Sequence, residues 1–455
     1  MIIQSHLKSY EINDFKFKGA YTFTNENKNN YFLLNEDGCS IIFNKKLYNK
    51  LKNKDLTESM KFKLIQHGMA TIEGLDKIVS YNEDNSIYFI IDTTKKCNLN
   101  CMYCFRDLND KREITEEKLE DICKFILNIL KERNLNKVNI QMWGGEPILA
   151  ISKIEYVYNF FNDKNINVKI DIETNGSLIT DKIAKKLYNL NVSIGVSIDG
   201  TKKHQDLQRK LINNKGSMNL VEKGIQNLQK YYGNNIGGIT VITKYNYKDI
   251  AEIISYFIND LKIRNMKFNI VKDNPNAEED GIGLNIEEVK EFANNLFDTL
   301  EIYEVLGLEF SEGNIEMRKD NLLKRSNFSC CISNGCKGGR NLISIDMNGD
   351  LYPCEMMDYK DVKLGSIYNN DNLIDNKELI NQLKQSEEEN IFFKEKINKE
   401  CKKCPWSYYC KGGCTSRIFY SEGKMKYDIV ECEFNKIIYL KIINKFLKNI
   451  DSIKK

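Results

Sequence analysis

The stretch SIYFIIDTTKKCNLNCMYCFRD, residues 86–107, decides how this chain is read. It opens as an apolar, β-branched run of strand character. Just past its end stand Cys97, Cys101 and Cys104, spaced C-x3-C-x2-C. A closed zinc site or an ordinary four-iron cluster asks for four protein ligands. Three thiolates on one short loop can instead hold three corners of a four-iron, four-sulfur cube and leave the fourth iron open to a small molecule. The competing readings are a zinc knuckle or three unrelated core thiols.

Outward from this loop the same rhythm repeats. Strand-like runs recur as KVNIQMW, NVKIDIETN, NVSIGVSID, GGITVIT and MKFNIV, and helical patterns at 115–133, 151–162, 179–190, 217–231, 246–260 and 285–305 alternate with them. Alternation of apolar strands and helices predicts an α/β fold with a parallel sheet covered by helices. Six units predict a partial (β/α)6 TIM-like barrel over residues 85–310, open where the eight-unit barrel closes. Chemistry in such folds sits at the C-terminal ends of the strands. The cysteine loop follows strand one, GGEP (Gly144 to Pro147) strand two, ETNG (Glu173 to Gly176) strand three and SIDG (Ser197 to Gly200) strand four. All four therefore fall on one rim.

Composition narrows the class. With 67 basic and 64 acidic residues the net charge is +3, so no global field points to nucleic acid or an anionic membrane. The N-terminus lacks the apolar core of a secretory signal, and no run of eighteen apolar residues predicts a membrane span. The expected location is cytoplasmic, and in a reducing compartment fourteen cysteines point to metal or catalysis instead of disulfides. Three histidines, His6, His67 and His204, lie away from the cysteine clusters, which disfavours His-rich zinc sites and Ser-His-Asp hydrolysis. Residues 1–84 outline a separate small α+β module: YFLLNEDGCSIIF predicts a hairpin turning at Asp37-Gly38, with helices around KKLYNKL and ESMKFKLIQHG. It reads either as a flap on the main domain or as a recognition module.

The loop CNLNCMYC, with Tyr103 in the aromatic place before Cys104, resembles the radical S-adenosylmethionine (SAM) enzymes. The resemblance implies that the open iron chelates the amino and carboxylate groups of SAM. It also implies that one strongly reducing electron cleaves SAM to a 5′-deoxyadenosyl radical, supplied by a donor of flavodoxin or ferredoxin type. Carried over residue by residue, it implies that Gly145 and Glu146 contact the SAM amino group and that Ser197 and Arg209 meet its ribose and carboxylate ends. The Tyr103 backbone would meet its adenine, and Asn175 of TNG is a further cofactor-binding candidate. Read from the residues alone, Arg209 is also a surface salt-bridge partner and Asn175 a turn residue. Asp199 is a cap for the following loop, and His204 a structural histidine.

Nine of the fourteen cysteines lie between residues 330 and 432. GCKGGRNLISIDMNGDLYPCE places Cys336 and Cys354, and CKKCPWSYYCKGGC places Cys401, Cys404, Cys410 and Cys414, followed by Cys432. This spacing resembles the SPASM extension of radical SAM enzymes, here residues 325–435, with residues 436–455 read as a C-terminal helix. The resemblance implies two auxiliary [4Fe-4S] clusters beside the SAM-binding one, three in all. Cys401, Cys404, Cys410 and Cys432 would hold the outer, and Cys336, Cys354 and Cys414 the inner, with Cys330 (or Cys331) completing it or an iron left open there. A thiolate zinc ribbon is the alternative for 401–414, while Cys39 and Cys123 read as buried free thiols. Sulfatase-maturing relatives place an aspartate base after the equivalent of Cys354. Glu355 is therefore the candidate catalytic base, or else a solvated side chain.

SPASM proteins act mostly on peptides and proteins. The expected function is a maturase that installs a crosslink, a thioether, in a ribosomally made precursor peptide whose leader binds a winged-helix-type module at 1–84. The alternatives are an anaerobic sulfatase-maturating enzyme, forming formylglycine from cysteine or serine, and a non-enzymatic iron–sulfur carrier or zinc scaffold.

Overall fold

The structure, a computed structural model, describes residues 3–72, 87–107, 109–272, 281–324, 336–358, 360–369, 372–375, 378, 382–383, 401–421 and 427–453. Cys330 and Cys331 lie outside these, as does most of the helical pattern NKELINQLKQSEEENIFF.

The chain begins with six short strands, β1 (Ile3–Leu7), β2 (Tyr10–Ile12), β3 (Phe15–Phe17), β4 (Ala20–Thr24), β5 (Asn30–Leu34) and β6 (Ser40–Asn44). Helices α1 (Lys45–Lys52) and α2 (Glu58–Gln66) follow, then β7 (Ala70–Ile72). Strands β1, β4, β5 and β6 form one antiparallel sheet, and β2, β3 and β7 a second. The hairpin turns where expected, with Gly38 at φ +70°, a conformation open to glycine at no steric cost. Asn44 and Thr57 cap the two helices by accepting from the Leu47 and Met60 N–H groups.

The main body is the expected parallel sheet. Strands β8 (Tyr88–Thr94), β10 (Lys137–Gly144), β11 (Asn167–Thr174), β12 (Ser193–Ser197), β14 (Gly237–Ile242) and β15 (Asn265–Ile270) lie side by side in chain order. Between them run α3 (Glu116–Glu132), α4 (Ile151–Asn162), α5 (Asp181–Asn189), α6 (Lys202–Gln208), α7 (Met218–Tyr232) and α8 (Ile250–Asn259). After them α9 (Ile286–Val305) begins on a capping box between Asn285 and Glu288. The short ribbon of β9 (Leu99–Cys101) with β13 (Arg209–Leu211) stands apart from this sheet.

The sheet is longer than six strands. β16 (Ser311–Glu312), followed by α10 (Gly313–Lys324), adds in parallel beside β15. β17 (Leu342–Ile345) adds in parallel beside β8 and carries β18 (Asp350–Tyr352) and β19 (Gly365–Ser366). The cysteine-rich segment thus grows directly from the barrel's edge strand. The last helix, α11 (Ile429–Ile453), includes Cys432 and packs along α9.

β8 is buried almost throughout, whereas β10 and β11 alternate. On β10, Val138, Ile140 and Met142 are buried under the helices while Asn139, Gln141 and Trp143 alternate with them on the opposite face; on β11, Val168, Ile170 and Ile172 alternate with Lys169, Asp171 and Glu173. The Tyr88 hydroxyl donates to Asp171 at 3.0 Å across the intervening β10, so this second face is concave and polar. An open barrel leaves it to water or a ligand, which explains the alternation. No helix among the described residues is long and apolar enough to cross a membrane.

Candidate functional site

The cysteine loop is fixed by its own backbone and by one buried carboxylate. Residues 99–101 pair antiparallel with 209–211, setting Arg209 opposite Cys101. The Leu99 N–H donates to Cys97 Sγ at 3.4 Å. Asp199 is fully buried: its Oδ2 accepts from the Tyr103 hydroxyl at 2.5 Å and lies 3.0 Å from Arg209 Nε, while its Oδ1 accepts from the Val241 N–H at 3.0 Å. The Arg209 guanidinium also lies 5.2 Å from the centre of the Tyr103 ring. Asp199 therefore does not cap the following loop; it joins β12, β14, β13 and the cysteine loop. Arg209 is buried in this pair, not placed in a surface salt bridge.

Burial pushes the Cys97 and Cys101 thiols up to about 11 and about 12, and each also interacts with Cys104. Cys97 and Cys101, desolvated and close to a third thiol, stay protonated until a cation offsets their charge, and an iron–sulfur core supplies that offset. The donor set fits such a group.

Beside the loop, Gly144 and Gly145 end β10 against the backbone of residues 94–96. A Cβ on Gly145 would fall 2.3 Å from the Lys96 carbonyl oxygen, so only glycine fits this approach. The next residue, Glu146, is buried: Oε1 accepts from the Thr174 hydroxyl at 2.6 Å and the Ile148 N–H at 3.1 Å, and Oε2 from the Asn175 N–H at 2.8 Å. Burial raises its pKa against these hydrogen bonds. A cationic ligand reaching it would regain that electrostatic loss. Asn175 is a turn residue. Its Oδ1 accepts from the Ser177 N–H (2.9 Å), and its Nδ2 donates to Asn98 Oδ1 (2.9 Å), tying the turn after β11 to the cysteine loop. Ser197 is the last residue of β12, half-buried on the same rim. His204 is structural: Nδ1 faces the Thr201 N–H at 3.2 Å and Nε2 the Asp249 carboxylate at 2.9 Å.

The later cysteines gather in two groups. Cys336, Cys354 and Cys414 interact electrostatically with one another, and Cys401, Cys404, Cys432 and Cys410 form a separate chain of neighbours. The first group holds three of the residues, and the second all four, that the resemblance implies for the inner and outer clusters; the implied upstream ligand lies outside the described residues. Burial pushes Cys410 to about 12 and Cys432 to about 11. Against the same upward push, Lys272 leaves Cys414 below its ordinary value. Arg417 joins this segment to the barrel rim, donating to the carbonyls of Val271 (2.8 Å) and Ile270 (3.3 Å) while its Nε meets Asp428 at 3.2 Å. Cys39 is buried in the core of the N-terminal module and Cys123 in that of the main body.

Sequence reading missed Lys272, and placed Glu173 on the rim without giving it a role. Both stand at or just past the C-terminal end of a barrel strand, so the rim rule could have found the first. Glu173, on the concave face, is bonded to Gln141 and lies within electrostatic reach of Glu355, Lys267 and Arg209. Burial, then Glu355, push its pKa from 4.5 to about 7. Between those values the folded protein holds a proton that the unfolded chain has released, so stability falls as pH rises through this window. We expect urea unfolding midpoints of the wild type to drop between pH 5 and 7.5, and Glu173→Gln to flatten that slope.

Two family models match this chain: residues 91–257 the radical SAM superfamily, and residues 336–405 the SPASM iron–sulfur cluster-binding domain. The cysteine-type anaerobic sulfatase-maturating enzyme of Clostridium perfringens (strain ATCC 13124) is 31% identical over 338 residues, 70% of this chain and 85% of that protein. A solved structure described as native anSMEcpe with bound AdoMet and Cp18Cys peptide is 25% identical, with a TM-score of 0.67 over 80% of this chain and 99% of that one. Streptococcus suis SuiB bound to S-adenosylmethionine shares the fold at 18% identity, TM-score 0.51, over 86% of this chain and 83% of that one. The vacant place in a three-cysteine loop, set on the rim of an open barrel whose edge continues into further cysteines, is thereby accounted for: this chain belongs to the radical SAM superfamily, as a SPASM-type enzyme that uses SAM and iron–sulfur clusters.

Proposed function

We propose that this enzyme modifies a side chain of a polypeptide, and that its cysteines hold three [4Fe-4S] clusters. Cys97, Cys101 and Cys104 would ligate the SAM-binding one. Cys336, Cys354 and Cys414 would ligate the inner auxiliary cluster with Cys330, and Cys401, Cys404, Cys410 and Cys432 the outer. The observation that supports this reading is the sorting of ten of the twelve described cysteines into three separate neighbourhoods. When bound, the reduced cluster and SAM supply a 5′-deoxyadenosyl radical that abstracts hydrogen from a substrate carbon.

The protein's own groups orient these partners. Glu146 presents a buried carboxylate to the SAM ammonium, Arg209 a guanidinium to its carboxylate, Ser197 a hydroxyl to its ribose, and the Tyr103 backbone an edge to its adenine. Glu355, within electrostatic reach of Glu173, is the candidate base. Glu146→Gln keeps shape and removes charge. Charged hydrogen bonds contribute about 1.5–3 kcal/mol, so SAM affinity measured by calorimetry should fall roughly 10- to 100-fold.

For the substrate we favour a cysteine-containing precursor peptide that gains a thioether, because a folded module at residues 3–72 precedes the barrel and its edge strand β1 suits strand addition by an extended leader. A low-potential flavodoxin or ferredoxin would deliver the electron. Formylglycine formation is the second reading, favoured by the relative named above, which is a cysteine-type sulfatase-maturating enzyme. The test is anaerobic reconstitution with iron and sulfide, then SAM plus dithionite, with 5′-deoxyadenosine measured. Mass spectrometry of a co-expressed cysteine-containing peptide from a neighbouring reading frame follows. Loss of two hydrogens supports the thioether; exchange of sulfur for oxygen with loss of two hydrogens supports formylglycine. Absence of 5′-deoxyadenosine from cluster-loaded protein rejects both.

A further inference from the structure

The N-terminal sheet has two differently employed faces. Leu33, Ile41 and Phe43 pack with α1 and α2 in the module's own core, whereas Tyr21, Phe23, Phe32 and Leu34 join the main core of the protein. What they meet there is the loop that carries Cys401, Cys404 and Cys410. Phe23 stacks on Trp406 with ring centres 5.3 Å apart, and Trp406 stacks in turn on Tyr439 of α11 at 4.9 Å. The Tyr409 hydroxyl donates to the Gly38 carbonyl at 2.7 Å. Gly38 sits so close to Tyr408 that a Cβ there would lie 2.2 Å from a ring carbon. Tyr21, two residues before Phe23 on the same face of β4, is buried in the core against which Cys404 packs. From the other side, Asp451 near the end of α11 accepts from Asn25 and Asn30.

An iron–sulfur cluster's potential responds to solvent exposure, to nearby charge and to polar groups beside its sulfurs. Residues from β4 and the β5–β6 hairpin pack against a loop about 370 positions further along the chain, as the Tyr409 to Gly38 hydrogen bond shows. We propose that the N-terminal module forms one wall of the outer auxiliary cluster, with Tyr21 setting the polarity beside Cys404. Whatever binds or displaces the module then alters that cluster's potential and its access to solvent. This rests on the reading that Cys401, Cys404, Cys410 and Cys432 hold a cluster.

The test uses full-length, reconstituted protein and three variants. Tyr21→Phe removes only the phenol oxygen. Gly38→Ala forces the Tyr408 ring aside without touching a cysteine. Cys401→Ala/Cys404→Ala checks the underlying reading. EPR-monitored redox titration of Tyr21→Phe should show one cluster's midpoint moved to lower potential, with full iron content and unchanged reductive cleavage of SAM. Gly38→Ala, with circular dichroism like the wild type, should lose one cluster's iron several-fold faster in air. Wild-type midpoints in Tyr21→Phe together with wild-type iron loss in Gly38→Ala overturn the proposal while leaving the cluster assignment standing. Full iron content in the double cysteine variant overturns the assignment and the proposal together.

Discussion

Replacing Cys97, Cys101 and Cys104 together by alanine should abolish 5′-deoxyadenosine formation, leaving only the uncatalysed background, and lower bound iron by one cluster's share. The fold should survive. The loop is held by main-chain pairing of residues 99–101 with 209–211 and by the Tyr103–Asp199 hydrogen bond, none of which needs the thiol sulfurs. The Gly145 and Glu146 N–H groups, bonded to the carbonyls of Thr94 and Lys96 at 2.7 and 2.9 Å, are likewise indifferent to the substitution. Removing a whole ligand set eliminates a unit of the machinery, so the activity loss far exceeds that from any single orienting group. The auxiliary groups are separate neighbourhoods and should keep their iron. Anaerobic iron and sulfide analysis, with chromatography of the SAM reaction, measures both effects. The matched control is Cys123→Ala: that thiol lies in the core beneath α3, so the change should lower stability and leave iron and SAM cleavage intact.

The second large effect is on stability. Arg417→Ala should destabilise the protein by about 3–5 kcal/mol, the usual consequence of removing one partner from a buried ion pair. Asp428 is fully buried and would be left without its cation; the carbonyls of Ile270 and Val271, at the end of β15, would lose their donor. Asp428 has further duties. It accepts from the Cys414 N–H at 3.2 Å and from the Glu431 N–H at 3.0 Å, at the start of α11, so the fault spreads to Cys414 and Cys432. Denaturant unfolding under argon should show the loss, accompanied by iron release from the auxiliary sites before the SAM-binding site. Asp428→Asn, which keeps an acceptor oxygen, should cost less. Equal stability of Arg417→Ala and wild type would show that the rim contact carries no weight.

These two effects mark where sequence was informative. The C-x3-C-x-Y-C loop, GGEP, TNG and SIDG are local, and their placement after successive strands follows from a strand–helix rhythm that chain spacing records faithfully. The same holds for Gly38 in its hairpin. The polar concave face was also written in the strands, as the alternation of Lys169, Asp171 and Glu173 with Val168, Ile170 and Ile172, though a run rich in isoleucine and valine invites the simpler reading of burial on both sides.

By itself, then, the sequence determined the parallel α/β sheet, the rim that carries the chemistry, and the three-thiol loop, because each is encoded over a few adjacent residues whose spacing dictates their geometry. Tertiary structure alone decided that Asp199 joins Tyr103 to Arg209, that β17 extends the barrel sheet, and that the N-terminal sheet covers the loop around Trp406. Those contacts join residues tens to hundreds of positions apart. Their partners are chosen by which buried charges and rings can satisfy one another once the elements have packed.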